Sequence, residues 1–197
     1  MLLSAENISI NFGSRQLLEN VNFYVNPGDK IGIIGINGTG KSTFLKVMAG
    51  ALAPDAGRIS RDPNMQVSFL PQNPVMEDEA TVLEQVFLHF PREFRDLNEY
   101  EAKSMLTKLG FTDFDQKVGT LSGGQRKRIA LVAALVHPAD LLVLDEPTNH
   151  LDSEMVAWLE DWLRAFRGGI VMVTHDRYFL ERVANHITEL SRGKLYH

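Results

Sequence analysis

Gly35-Ile36-Asn37-Gly38-Thr39-Gly40-Lys41-Ser42 follows the apolar run Ile31-Gly32-Ile33-Ile34 and leads into Thr43-Phe44-Leu45-Lys46-Val47-Met48-Ala49. The order is strand, glycine loop, helix. Glycines let consecutive backbone N–H groups curl around an anion, and the following helix adds the positive end of its dipole. The spacing is that of a phosphate-binding P-loop. In such a loop Lys41 reaches the β- and γ-phosphates as a point charge, Ser42 gives a hydroxyl to a magnesium ion, and Thr43 adds a phosphate hydrogen bond. The plainer reading is a glycine-rich turn opening an ordinary helix, and the full match between a buried strand and an apolar helix argues against it. The loop implies a nucleotide and leaves open what is done with it.

With 197 residues, 44% of them hydrophobic and 23% charged, the chain has the size and composition of one globular domain with an ample core. No apolar run approaches the roughly 20 residues of a membrane span, and Met1-Leu2-Leu3-Ser4-Ala5-Glu6 lacks the basic start and long apolar stretch of a secretory signal. A cytoplasmic protein without membrane insertion is therefore expected. The sequence has no cysteine, which excludes disulfides and thiolate metal sites within it. A formal charge of −5 argues against attraction of the whole surface to nucleic acid or an anionic membrane. Arg126, Lys127 and Arg128 are adjacent, but neighbours on a helix point in different directions, so they read as a solvated surface or as a local partner contact.

Along the chain, residues 2–10 alternate loosely and Val21, Phe23 and Val25 cleanly, giving two half-buried antiparallel strands joined through residues 11–20. Asn26-Pro27-Gly28-Asp29 turns into the central strand, Lys30 to Ile36. Short strands are expected at 58–60 and 67–70. Residues 73–139 change character: Thr81-Val82-Leu83-Glu84 has the form of a capping box opening a helix to about His89, and further helices span 98–109 and 122–136. This reads as a helical subdomain inserted into a sheet core made of about 1–72 and 140–197. Leu141 to Asp145 is a continuous apolar strand, 153–166 an amphipathic helix, 170–174 another buried strand, 176–184 a helix, and 187–190 with 195–196 a closing hairpin.

The strand Leu141 to Leu144 ends in Asp145-Glu146, an arrangement in which the first carboxylate holds magnesium and the second orients and deprotonates an attacking water. Alone, such a pair is as easily a polar loop start; the P-loop upstream favours function. Leu121-Ser122-Gly123-Gly124-Gln125 combines an N-cap serine, a glutamine three residues on and two glycines that uncover backbone N–H groups. One nucleotide does not need two anion-binding helix starts. Either this is simply a capped helix, or it presses on a nucleotide held by another domain, which demands a dimer.

On these motifs the sequence resembles the ATP-binding cassette family from about Met1 to Tyr196, with the motifs in the family's order. The resemblance implies an α/β P-loop NTPase core with an N-terminal antiparallel β subdomain and an inserted helical subdomain. It implies ATP and Mg2+ as ligands and ATP hydrolysis as the activity. Phe12 then lies where an aromatic stacks on adenine, although it also reads as a core aromatic. Gln72 matches the loop glutamine that touches magnesium and water, Asp152 in Leu151-Asp152 the D-loop, and His175 the switch histidine at a strand's carboxyl end. The expected nucleotide contacts are Phe12 and Gly35, Ile36, Asn37, Gly38, Thr39, Gly40, Lys41, Ser42 and Thr43. The metal contacts are Ser42, Gln72 and Asp145. The catalytic set is Glu146, His175 and Gln72, with Leu121 to Gln125 acting on a partner's nucleotide. Arg15 is a further candidate for the nucleotide, whereas His89, His137, His150, His186 and His197 read as structural or exposed.

Glu146-Pro147-Thr148-Asn149-His150-Leu151-Asp152, Ser122-Gly123-Gly124-Gln125-Arg126-Lys127-Arg128 and His175-Asp176-Arg177-Tyr178-Phe179-Leu180 look like the ABC-F proteins, cassettes that act in tandem on ribosomes. That resemblance implies a second cassette as partner and ribosome contact through the full-length protein, since the sequence stops near where a charged interdomain linker would begin. Two other readings stand beside it: the energising ATPase of a transporter, and an ATP-dependent dimerisation switch with little hydrolysis.

Overall fold

The computed structural model describes residues 1–36, 38 and 40–197, so the roles expected of Asn37 and Thr39 lie outside the described residues. The chain divides into two compact units, one of residues 1–72, 139–147 and 162–197, the other of residues 73–138 and 148–161.

The first unit holds two sheets. Strands β1 (Leu3–Phe12) and β2 (Arg15–Val25) form an antiparallel hairpin, and β4 (Ala56–Arg61) adds to the free edge of β1. The hairpin is longer than the alternation predicts. Register shifts between Ala5 and Ile8 and between Ile8 and Ile10, with positive φ at Asn7 and Asn20, displace the two-residue period by which a strand is recognised in sequence.

The second sheet has the order β5-β6-β7-β3-β8-β9, from β3 (Lys30–Ile34), β5 (Val67–Leu70), β6 (Leu141–Asp145), β7 (Gly169–Val173), β8 (His186–Ser191) and β9 (Lys194–Tyr196). All neighbours run parallel except the β8–β9 hairpin. β6 and β7 are buried along their whole length, as their unbroken apolar sequences require of strands covered on both faces. The carboxyl ends of β5, β6, β7 and β3 therefore open on one edge, where ligands bind in sheets of this kind.

Helix α1 (Lys41–Ala49) buries Phe44, Leu45, Val47 and Met48 in a core shared with Leu3, Ile8, Leu18 and Phe23 of the hairpin and with Ile31, Val143 and Val171 of the parallel sheet. Phe44 and Phe23 meet edge to face with centroids 5.0 Å apart. Gly50 in the left-handed region closes α1, and Arg61 donates to the carbonyls of Met48 and Val47 at 2.6 and 2.8 Å. The helix that begins at Lys41 is thus pinned at its carboxyl end and along its apolar face.

The second unit is helical: α2 (Val82–Val86), α3 (Arg92–Lys108), a 3-10 turn at Val118–Thr120 and α4 (Gly123–Val136). The Thr81–Glu84 capping box forms in both directions, at 3.0 and 3.1 Å. α3 starts at Arg92 rather than 98. Its first turn has a polar sequence, but Phe94 anchors it by stacking on Phe90 at 4.5 Å and meeting Phe87 at 6.0 Å. Helix α5 (Ser153–Ala165) runs from the second unit into the first, and α6 (Arg177–Val183) belongs to the first.

Candidate functional site

Lys41 is the first residue of α1 and only 8% exposed, with its Nζ donating to the Gly35 carbonyl. The ammonium therefore lies against the first residue of the loop. Gly40, at φ 92°, caps the helix without a side chain. A left-handed N-cap is unfavourable for any residue bearing a Cβ, and here it leaves no capping side chain between the helix's first N–H groups and a ligand. Ile36 is exposed, Thr43 half-buried, and Arg15 reaches over from β2 to donate to the Gly38 carbonyl.

The Ser42 hydroxyl lies 2.8 Å from Asp145 Oδ2 and 3.4 Å from Gln72 Oε1. Three residues far apart in sequence meet because α1 follows β3 while Asp145 and Gln72 leave the ends of β6 and β5. Hydroxyl, carboxylate and amide oxygens are the hard donors that Mg2+ prefers, and one carboxylate with neutral oxygens suits an ion that keeps several waters. The donor set fits the metal that the sequence implies.

Glu146 follows directly. Its N–H continues the sheet ladder onto the Val173 carbonyl at 2.7 Å, yet its φ is +50°, so the chain turns sharply at the carboxylate. A left-handed backbone at a non-glycine residue costs of order 1 kcal/mol and is held here by the strand on one side and buried Pro147 on the other. The carboxylate is buried, and both of its oxygens engage His175: Oε2 accepts the backbone N–H at 3.2 Å, and Oε1 is hydrogen-bonded to Nδ1. The His175 side chain is itself 64% exposed at the end of β7. Phe12 closes β1 opposite Arg15 and is 57% exposed. It is not a core aromatic. The Arg15 bond to Gly38 sets the hairpin tip that carries Phe12 beside the loop.

The P-loop, Gln72, Asp145, Glu146, His175 and Phe12 are thus brought together in the first unit. Leu121 to Gln125 and Asp152 lie in the second. There Ser122 caps α4, its Oγ accepting from Gln125 N–H at 3.2 Å while Gln125 Oε1 accepts from Ser122 N–H at 3.0 Å. Leu121 is buried and Ser122 and Gly123 exposed, and a Cβ on Gly123 would meet open space. Asp152 accepts from Met155 N–H at 2.9 Å and so opens α5. Arg128, which the sequence reads as solvated surface or a partner contact, and His150, read as structural or exposed, bond to each other in this unit, and nothing in their spacing foretells the pair.

Residues 18–149 match the ABC transporter family. The chain is 40% identical to the uncharacterized ABC transporter ATP-binding protein YfmR of Bacillus subtilis, over 99% of this chain and 37% of that protein. It is 37% identical to the energy-dependent translational throttle protein EttA of Escherichia coli K12, over 91% of this chain and 39% of that one. The chain thus spans less than two fifths of the length of these relatives. Its fold superposes on the dimeric structure of MJ0796, a bacterial ABC transporter cassette, with TM-score 0.87 and 24% identity, covering 100% of this chain and 97% of that one.

Proposed function

The chain belongs to the ABC transporter family as an ATPase cassette that works on ATP with Mg2+, and we propose that it fires when a second cassette closes on its nucleotide, in a protein that acts in translation. The observation that carries the catalytic part is the approach of Ser42 Oγ to Asp145 Oδ2 and Gln72 Oε1, beside the buried Glu146 carboxylate.

In this reading Lys41 exchanges the Gly35 carbonyl for phosphate oxygens, and Gly35, Ile36, Gly38, Gly40, Ser42 and Thr43 contact the nucleotide beside it. Phe12 offers its exposed ring to the adenine. Ser42, Asp145 and Gln72 would hold the magnesium, which when bound would supply positive charge against the negative charge that develops on the phosphates. Glu146 takes the proton from the attacking water. Its burial, and a backbone N–H on one oxygen, fix the carboxylate's direction. His175 leaves Glu146 Oε1 to place its ring at the γ-phosphate. Leu121, Ser122, Gly123, Gly124 and Gln125 of each cassette complete the other's site with Asp152 alongside, since α4's capped N-terminus exposes Ser122 and Gly123 where an anion can meet them.

The core and helical regions together form one ATP-binding domain, whose partner is a second cassette of the same protein or another copy. Two features support the ABC-F assignment and a cytoplasmic, ribosome-associated role. They are the Thr148-Asn149-His150-Leu151-Asp152 sequence and the likeness to a protein named a translational throttle. With a charge of −5, the RNA contacts belong to the remainder of the full-length protein. The name of the Bacillus relative favours a second reading, an ATPase that energises a transporter. Among the described residues no helix is long and apolar enough to cross a membrane, so that reading requires a separate membrane subunit.

One experiment separates them. The full-length Glu146→Gln protein with MgATP pellets with ribosomes in low salt if the translation reading holds. Co-purification with an integral membrane protein and no pelleting would establish the transporter instead.

A further inference from the structure

Two residues left without a role by the proposed mechanism meet in the second unit. Arg128 donates from Nε and Nη2 to the backbone carbonyl of His150, at 2.9 and 2.7 Å, and from Nη1 to the carbonyl of Leu109 at 3.4 Å. His150 is left-handed, at φ +66°. Its ring lies against Gly124: a Cβ built on Gly124 would stand 3.1 Å from His150 Cβ and Cγ and 3.2 Å from Nδ1.

Gly124 and Arg128 are four residues apart on α4 and so share one face of that helix, which means that His150 is gripped twice by the same surface. The ring occupies the space a side chain at 124 would need, and the guanidinium fork holds the carbonyl. A planar fork of charged donors on one carbonyl fixes direction in a way that a lysine's point charge does not. The left-handed backbone at 150 is unfavourable for histidine and is sustained by these contacts. On either side the chain is also tied down. Leu151 N–H donates to the Thr148 carbonyl at 3.2 Å, and Asp152 caps α5 through Met155 N–H at 2.9 Å. Gly124 itself sits inside the Ser122–Gln125 capping box.

We infer that Arg128 and His150 are positioning residues that lock the Ser122–Gln125 turn and the Thr148–Asp152 loop into one rigid block. The two segments that would meet a partner cassette's nucleotide then arrive in a fixed mutual geometry, instead of being ordered separately at closure. The functional consequence rests on the proposed in-trans role of Ser122 to Gln125. The block itself does not.

The test has two arms on the full-length protein. The first is amide hydrogen exchange without nucleotide in His150→Ala and Arg128→Ala. A locked block predicts that His150→Ala, though made in the loop, speeds exchange of the Gly124 and Gln125 amides by about tenfold as well as that of Leu151 and Asp152. Faster exchange confined to residues near 150 would overturn the inference.

The second arm is ATP turnover beside ATP binding. Arg128→Ala and His150→Ala are expected to lower kcat about tenfold while the affinity and the number of ATP sites stay within twofold of the parent. Arg128→Lys should recover less than half of that loss, because it restores charge without the fork. Parental kcat in both alanine variants, or a fall in kcat that merely tracks a loss of binding sites, would overturn the positioning role. A parent protein with no turnover at all would sink the proposed function, and the exchange arm would still decide whether the block exists.

Discussion

Both oxygens of the Glu146 carboxylate are held by His175, one by its ring Nδ1 and the other by its backbone N–H at 3.2 Å. The two residues lie at the ends of neighbouring parallel strands, and nothing but the sheet order brings them together. In the proposed mechanism this carboxylate, its direction set by the backbone donor, delivers one oxygen to the attacking water. Glu146→Gln keeps the shape and the acceptor oxygen but cannot take a proton. Phosphate release should fall by about a hundredfold or more, whereas MgATP binding and ATP-dependent association persist. Steady-state phosphate assays paired with light scattering check this; turnover close to the parent's would remove Glu146 from the role of base.

The Ser42–Asp145 pair predicts a metal-specific defect. Asp145→Asn retains volume and hydrogen bonding but loses the anionic oxygen. MgATP at a hundred times its dissociation constant should stabilise the parent by about 2.7 kcal/mol, and the variant by little more than ATP with chelator does. Thermal melts in the two conditions report the difference.

Phe12, more than half exposed at the hairpin tip, contributes little to folding. Phe12→Ala should shift stability by no more than about 0.5 kcal/mol. It should weaken ATP binding about fivefold through loss of roughly 1 kcal/mol of stacking. Phe12→Trp should bind at least as tightly as the parent. Equal affinity in all three proteins would show that the ring does not meet the base.

His137 supplies an acid sensitivity. Its ring lies 5.3 Å from that of Phe90, its Nδ1 is buried with no hydrogen-bond partner among the described residues, and desolvation holds its pKa below the ordinary value of 6.5. Because the folded value is the lower one, the unfolded chain takes up the proton first. The contribution of this site to stability is complete above 6.5 and is lost as the pH falls below it. His137→Phe should flatten that part of the profile in urea titrations between roughly pH 7 and 5. An unchanged slope would place the sensitivity elsewhere.

Gly57 tests the sheet that carries Phe12. It has φ +97°, and an added Cβ would lie 2.3 Å from the Asn7 carbonyl oxygen, a backbone atom that cannot yield. Gly57→Ala should therefore destabilise by about 2 kcal/mol or more, seen as a lower denaturant midpoint at unchanged m. A variant as stable as the parent would mean that β1 and β4 can separate at this bulge without loss.

Much of the site could be read from the chain because its signals are local. A P-loop is one strand, one glycine turn and one helix start, so Gly35 to Ser42 carry it whole. The Thr81–Glu84 and Ser122–Gln125 capping boxes are likewise written within four residues, and both form. Buried parallel strands announce themselves as continuous apolar runs. The hairpin residues 15–20 and the first turn of α3 escaped for the converse reason: bulges broke the alternation in one, and an aromatic contact from Phe94 overrode a polar sequence in the other.

The chemical groups are written along the chain: the glycines and lysine of the loop, the Asp145-Glu146 pair, Gln72 and His175. Their company comes from folding alone. The order β5-β6-β7-β3 sets Gln72, Asp145, Glu146 and His175 side by side at one edge of a sheet, because parallel strands align their carboxyl ends whatever their separation in sequence. Likewise no period in the chain foretells that Arg128 grips the carbonyl of His150. That bond depends on a left-handed turn packed against a glycine, and packing is a property of surfaces that meet only once the chain has folded.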